Sequence, residues 1–169
     1  MKEQAYSAKL DSSAKTISLI VLLLVSILTV FVVLVGIQIP EDFMEIFSAT
    51  LGLWILVGLY YSRSVRGYLI NERELVIKKI FSPYRIPFDS ILKISLLKET
   101  DFRDLKRLTG SAGLFGYDGL YRDNAFGEMK WQATQKKNFI LLQLKSGFKV
   151  VVTPDDPGLA DLLQSALKK

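Results

Sequence analysis

The chain reads TISLIVLLLVSILTVFVVLVGIQIP over residues 16–40, without one charged side chain. A helix needs about 20 consecutive apolar residues to cross bilayer hydrocarbon, so this run predicts a span over residues 16–39. A second run, IFSATLGLWILVGLYYS, is uncharged over residues 46–62. Starting it at Phe43, with Glu45 at the interface, predicts a second span over residues 43–62. Tyr60 and Tyr61 then fall where interfacial aromatics collect. A cleaved signal sequence fits poorly, because such a core has only about 7–15 apolar residues and is followed by a small-x-small site. None follows here.

Beyond Ser62 the pattern shortens to strand length. GYLI (67–70), ELVIKKI (74–80) and RIPF (85–88) are separated by the turn NER and by Pro83, which cannot donate to a ladder. SILKISLL (90–97) alternates, and Leu92, Ile94 and Leu96 share a face expected to look into the core. MKWQATQ (129–135), FILLQLKS (139–146) and FKVVVT (148–153) complete seven predicted strands, the last two forming a hairpin. KKN is a turn in which Asn138 can take the left-handed conformation. In KETDFRDLKRL (98–108), Phe102, Leu105 and Leu108 recur at spacing three, which predicts a short helix or helical turn. At the end, Asp156 and Pro157 have N-cap and first-turn chemistry. Leu159, Leu162, Leu163, Ala166 and Leu167 then form one helical stripe, with Lys168 and Lys169 at its negative end. Seven short strands closed by one helix predict a small sandwich or partly open barrel.

Charge adds orientation. The connector QIPEDFME carries Glu41, Asp42 and Glu45 but no Lys or Arg. Lys2, Lys9 and Lys15 precede the spans, and Arg63, Arg66 and Arg73 follow them. Basic flanks stay inside, so residues 1–15 read as a cytoplasmic tail, 16–62 as a transmembrane hairpin and 63–169 as a cytoplasmic domain. From Arg63 onward, 19 Lys and Arg face 12 Asp and Glu, a balance of +7. Beside an anionic leaflet each basic group contributes about 1 kcal/mol. Nucleic acid is the other usual partner of a basic domain, but membrane attachment argues against it. The chain has neither Cys nor His. That removes the usual zinc ligands, the thiol nucleophile and the commonest general base. No catalytic residue, metal or cofactor is expected.

Residues 67–169 resemble the bacterial pleckstrin-homology-like (PH-like) domains, a family often found beside transmembrane helices. The resemblance rests on RIPFDSI (85–91), GLFGYDGLY (113–121) and ATQKKNFILLQLKSGFKVVVTPDDP (133–157). It implies a membrane-anchored α+β protein, with a two-helix hairpin followed by a seven-stranded PH-like barrel or sandwich and a C-terminal helix. It also implies a bacterial inner-membrane location and no catalysis. Lipid, peptide and protein binding all occur on this fold, so the fold alone does not fix the function.

Three constellations invite chemistry. GSAGLFGYDGLY has glycine at every third position, Gly110, Gly113, Gly116 and Gly119. Phosphate loops use G-x-G-x-x-G or a Gly-Lys-Ser/Thr ending, and neither is present. The segment reads as a long insertion reaching about Gly127. Its glycines would permit positive φ or close approach, with Leu114, Phe115 and Tyr117 packed on the barrel, resting in the membrane interface or meeting a partner. The second constellation is basic. Arg63, Arg66, Arg73, Lys78, Lys79 and Arg85 are solvated faces or contacts for anionic headgroups, and Lys136 and Lys137 pair in a turn. Lys78 and Lys79 point to opposite faces of a strand. The third, Asp118, Asp123 and Glu128, has no metal-ligand spacing and reads as solvated loop charge, while Asp155 and Asp156 read as helix caps. The expected function is non-catalytic protein interaction or scaffolding at the membrane, with self-assembly as one form of it. The other reading is recognition of anionic lipid headgroups.

Overall fold

The two uncharged runs form α1 (Ser12–Gln38) and α2 (Phe43–Arg63) in a computed structural model that describes residues 3–39 and 43–167. Lys2, Glu41, Asp42, Lys168 and Lys169, used above for orientation and capping, lie outside these residues. The helices pack as an antiparallel pair. Gly36 leaves room for the Phe43 ring, and Trp54 Nε1 donates to Thr29 Oγ1 at 2.9 Å. Each helix is long and apolar enough to cross a membrane. Leu24, Ile27 and Phe31 are more than half exposed, so the hairpin turns an apolar surface outward that is far larger than water-soluble surfaces carry.

The remaining elements form two sheets and a helix. The strands are β1 (Gln4–Ser7), β2 (Gly67–Ile70), β3 (Glu74–Lys78), β4 (Tyr84–Pro87), β5 (Ile91–Leu97), β6 (Lys106–Gly110), β7 (Tyr117–Asp123), β8 (Gly127–Ala133), β9 (Phe139–Leu144) and β10 (Lys149–Val152). The helix is α3 (Gly158–Leu167). One sheet runs β1-β2-β3-β4 and the other β5-β9-β10-β8-β7-β6. All pairings are antiparallel except β8 with β10. The architecture is two separate sheets of four and six strands, and not a closed barrel.

Alternation along the strands sorts the core into two layers. Tyr68, Ile70, Leu75, Ile77 and Ile86 of the first sheet meet Ile140, Leu142, Val150 and Val152 of the second, and Leu159, Ala160 and Leu163 of α3 close that layer. Phe139, Leu141 and Val151 point the other way, into a layer with Tyr117, Tyr121, Met129 and Trp131. β9 is therefore covered on both faces, which explains its unbroken apolar run. Tyr68 links the sheets. Its hydroxyl donates to the Gln132 carbonyl at 2.8 Å and accepts from the Thr153 amide at 3.0 Å. Burial pushes its pKa up. Tyr68→Phe orphans both backbone groups, and a buried orphan costs about 1–3 kcal/mol. The expected result is a lower thermal midpoint in detergent with no change in helix content.

Several expectations need correction. Ten strands form where seven were predicted, since β1, β6 and β7 were not foreseen. The alternation predicted Leu92, Ile94 and Leu96 in the core, but Leu92 and Leu96 are exposed and only Ile94 packs there. A register shift between Ile91 and Lys93 and the edge position of β5 account for this. Of the short helix or helical turn expected over residues 98–108, only a turn forms. A single 3-10 turn at Glu99–Asp101 leads to Asp104, at φ +60°, and then to β6. Phe102 and Leu105 still pack on the second layer. The glycine stretch is not an insertion: it ends β6, makes a tight turn and begins β7. Asn138 is left-handed as predicted, at φ +51°. Asp156 caps the start of α3, accepting from Gly158 N at 2.8 Å. Asp155 instead ties the N-terminal segment, through Ser7 Oγ at 2.6 Å and Lys9 N at 2.9 Å.

Candidate functional site

The chemistry gathers where the hairpin meets the sheets. Asp11 precedes α1 in extended conformation and caps it, accepting from Ala14 N at 2.7 Å. The same carboxylate accepts from Tyr117 OH at 3.2 Å and from Lys136 N at 3.2 Å. Asp11 N donates to the Thr134 carbonyl. Lys136 Nζ sits 5.4 Å from the centre of the Tyr117 ring. Burial first, and then the Asp11 charge, push the Tyr117 phenol's pKa up, so it stays a hydrogen-bond donor. One side chain thereby joins α1, β7 and the β8–β9 turn.

The glycine turn supplies the second attachment. Gly110 lies opposite Gly119 across β6 and β7. A Cβ on Gly110 would fall 2.1 Å from the Asp118 carbonyl oxygen. Gly113 and Gly116 bridge to each other, and a Cβ on Gly113 would strike Ile17 of α1 at 2.6 Å. Between them Phe115 is held at φ +56°. Its amide donates to Ser18 Oγ at 2.8 Å, and Ser18 Oγ donates to the Ala14 carbonyl. The Phe115 ring meets Tyr61 of α2 edge-on at 5.2 Å, and Arg66 covers Tyr61 at 4.4 Å. The turn is thus pinned to both helices.

A cavity of about 710 Å³ opens beside this turn, under the last turn of α2. Arg63, Lys79 and Lys130 line it, with Tyr84, Asp118 and Leu114. Lys79 Nζ pairs with Asp118 at 2.8 Å, and Asp118 also accepts from Gln132 Nε2 at 2.5 Å. Lys130 Nζ lies 4.6 Å from the Tyr84 ring centre. Burial lowers the Lys130 pKa, and Lys79 and Arg63 lower it further against the opposing pull of Asp118.

The predicted residues are thereby dispersed. Phe115 and Tyr117 are buried, 9% and 4% exposed. They pack against Tyr61, Ser18 and Asp11 of the hairpin and its N-cap. Leu114 is half-buried at the cavity wall. Arg63 lines the cavity, and Arg66 stacks on Tyr61. Arg73 lies in the β2–β3 turn, at the end of β2 remote from α2. Lys136 belongs to the Asp11 cluster, and Lys137 is exposed in its turn. Arg85 pairs with Glu74. The carboxylates part company: Asp118 takes Lys79, Glu128 pairs with Arg122, and Asp123 accepts from the amides of Ala125 and Phe126. No metal-binding cluster occurs among the described residues. Asp11, Ser18 and Lys130 escaped the sequence reading. Only Asp11 left a signal, an N-cap residue just before the apolar run.

No curated protein and no solved structure gave a significant match to the chain. The sequence model described as the bacterial PH domain matches residues 66–167, the stretch from the foot of α2 to the end of α3, and the chain belongs to that family.

Proposed function

We propose that the protein is a non-catalytic, two-span inner-membrane protein with both termini in the cytoplasm. It presents its PH-like domain to protein partners, or to further copies of itself, at the cytoplasmic face. One observation carries this reading. The domain does not trail from a flexible linker but is fastened to α1 by Asp11 and Ser18 and to α2 by Tyr61. A binding surface held in a fixed pose loses less freedom when it binds. The cysteine-free chain allows a direct test. A cysteine at Lys137 is expected to resist an impermeant maleimide in intact spheroplasts and to label in inverted vesicles. One at Met44, beside the hairpin connector, is expected to do the reverse. Labelling of position 137 from outside would sink the orientation. A clean monomer for the full chain in detergent would argue against self-assembly.

A second reading, contact with anionic lipid headgroups, is favoured by the gathering of Arg63, Lys79 and Lys130 at one cavity. On the reading that α2 spans the bilayer, its last turn lies at headgroup depth.

A further inference from the structure

We propose that the cavity under α2 is a site for the phosphate of an anionic lipid headgroup, bound by Arg63, Lys79 and Lys130, with Phe81 inserted into the bilayer interface beside it. The proposal rests on the second reading above and gives it a single location.

Three features of the cavity argue for an anion. It holds three cations against one carboxylate, and that carboxylate is already committed to Lys79 and Gln132. Neither Arg63 nor Lys130 has a carboxylate in ion-pair reach among the described residues. A half-buried ammonium with no carboxylate in ion-pair reach is unfavourable, and a phosphate placed between Lys130 and Arg63 would offset that cost through charge-assisted hydrogen bonds. Ser82 and Thr109 also line the space. Its volume of about 710 Å³ suits a headgroup.

The rim argues for a lipid as the source of that phosphate. The β3–β4 connection carries Ile80 and Phe81, 40% and 83% exposed. Phe81 is the most exposed large apolar side chain among the described residues, and it lines the same cavity as Tyr60 and Arg63 of α2. An apolar tip flanked by cations, set beside a helix leaving the bilayer, has the composition of an interfacial anchor. Free phosphate would use the cations and gain nothing from Phe81.

The test uses the full chain in neutral detergent. Dissociation constants are measured for short-chain phosphatidic acid, phosphatidylglycerol and phosphatidylcholine, and for inorganic phosphate. Both anionic lipids are expected to bind at least about tenfold tighter than phosphatidylcholine or inorganic phosphate, one charge-assisted contact being worth roughly that factor. Arg63→Gln and Lys130→Gln are each expected to weaken the anionic lipids about tenfold, while Lys145→Gln, on the remote β9–β10 turn, leaves them unchanged. Because Lys130 is half-buried, Arg63→Gln on the exposed rim serves as the variant that keeps the fold. Phe81→Ser is expected to weaken the lipids about tenfold by loss of apolar burial, with inorganic phosphate unaffected. Anionic lipids bound equally by the parent, Arg63→Gln and Lys130→Gln would overturn this site and leave the second reading standing. Failure of the parent to bind either anionic lipid would overturn both. Inorganic phosphate bound as tightly as the lipids, with Phe81→Ser inert, would overturn the lipid assignment.

Discussion

Gly110→Val is expected to stop the β6–β7 hairpin from closing, at a cost of about 4–5 kcal/mol, the extreme end of single substitutions. The residue sits at φ +95°, where a β-branched side chain is strongly disfavoured. The larger problem is space. The new Cβ would lie 2.1 Å from the Asp118 carbonyl oxygen and 2.5 Å from the Cα of Gly119. Both are backbone atoms of the paired strand and cannot rotate away. The hairpin would have to splay, and splaying it pulls Ser111 from the Leu114 and Gly116 carbonyls and Phe115 from Ser18. Gly127→Val is the matched control, because Gly127 also has positive φ, at +71°, but its Cβ meets nothing within 4 Å. That control is expected to lose only about 1–2 kcal/mol, from backbone strain. Thermal unfolding followed by tryptophan emission separates them. At about 4–8 °C per kcal/mol for a domain of this size, their midpoints should differ by at least about 8 °C. Equal midpoints would mean that the close approach is not what selects glycine at position 110.

Asp11→Ala is expected to be the most damaging polar substitution, at about 3 kcal/mol, the sum of a lost N-cap and two orphaned donors. Ala14 N loses its cap, and Tyr117 OH and Lys136 N lose their acceptor. The damage should also be local. Amide exchange is expected to accelerate at residues 12–15 and 136, and at Phe115 as the base of α1 loosens, while β3 and β10 in the other layer hold. Asp11→Asn offers a graded comparison. Its single carbonyl oxygen can cap α1 or serve Lys136, but not both, so about half of the stability should return. Uniform acceleration across both core layers in Asp11→Ala would show that the carboxylate supports the whole fold and not the joint.

The two long apolar helices and most of the strands were legible because their signals are local. A charge-free run of span length and the alternation in ELVIKKI need no knowledge of distant residues, and Asp156 with Pro157 marks its helix start unaided. What escaped depends on partners far along the chain. QAYS is too short and too polar to declare itself a strand, and its partner GYLI lies beyond the whole hairpin. Around Gly110 and Gly119 the glycines resembled a loop, because glycine permits a loop and a tight strand approach equally. The family resemblance was correct, but the family match covers residues 66–167 and so omits β1, Asp11 and Ser18, which fasten the domain. The cavity was invisible for the same reason. Lys79 leaves the end of β3 and Lys130 belongs to β8, in different sheets, and only the fold shows that they converge with Arg63.

The pairing of Gln4–Ser7 with Gly67–Ile70 imposes a parity. Between those two strands the chain must cross any bilayer an even number of times, since a ladder of backbone hydrogen bonds cannot form through hydrocarbon. A chain whose second apolar run failed to cross would leave β1 and β2 on opposite sides. β2 would then carry a bare edge, and Asp155 would lose Ser7 and Lys9. On the reading that α1 and α2 both span a bilayer, the first sheet can be completed only after both crossings are made. On that reading, the edge of β2 is covered only in a chain that has both β1 and β2 on one side of the bilayer.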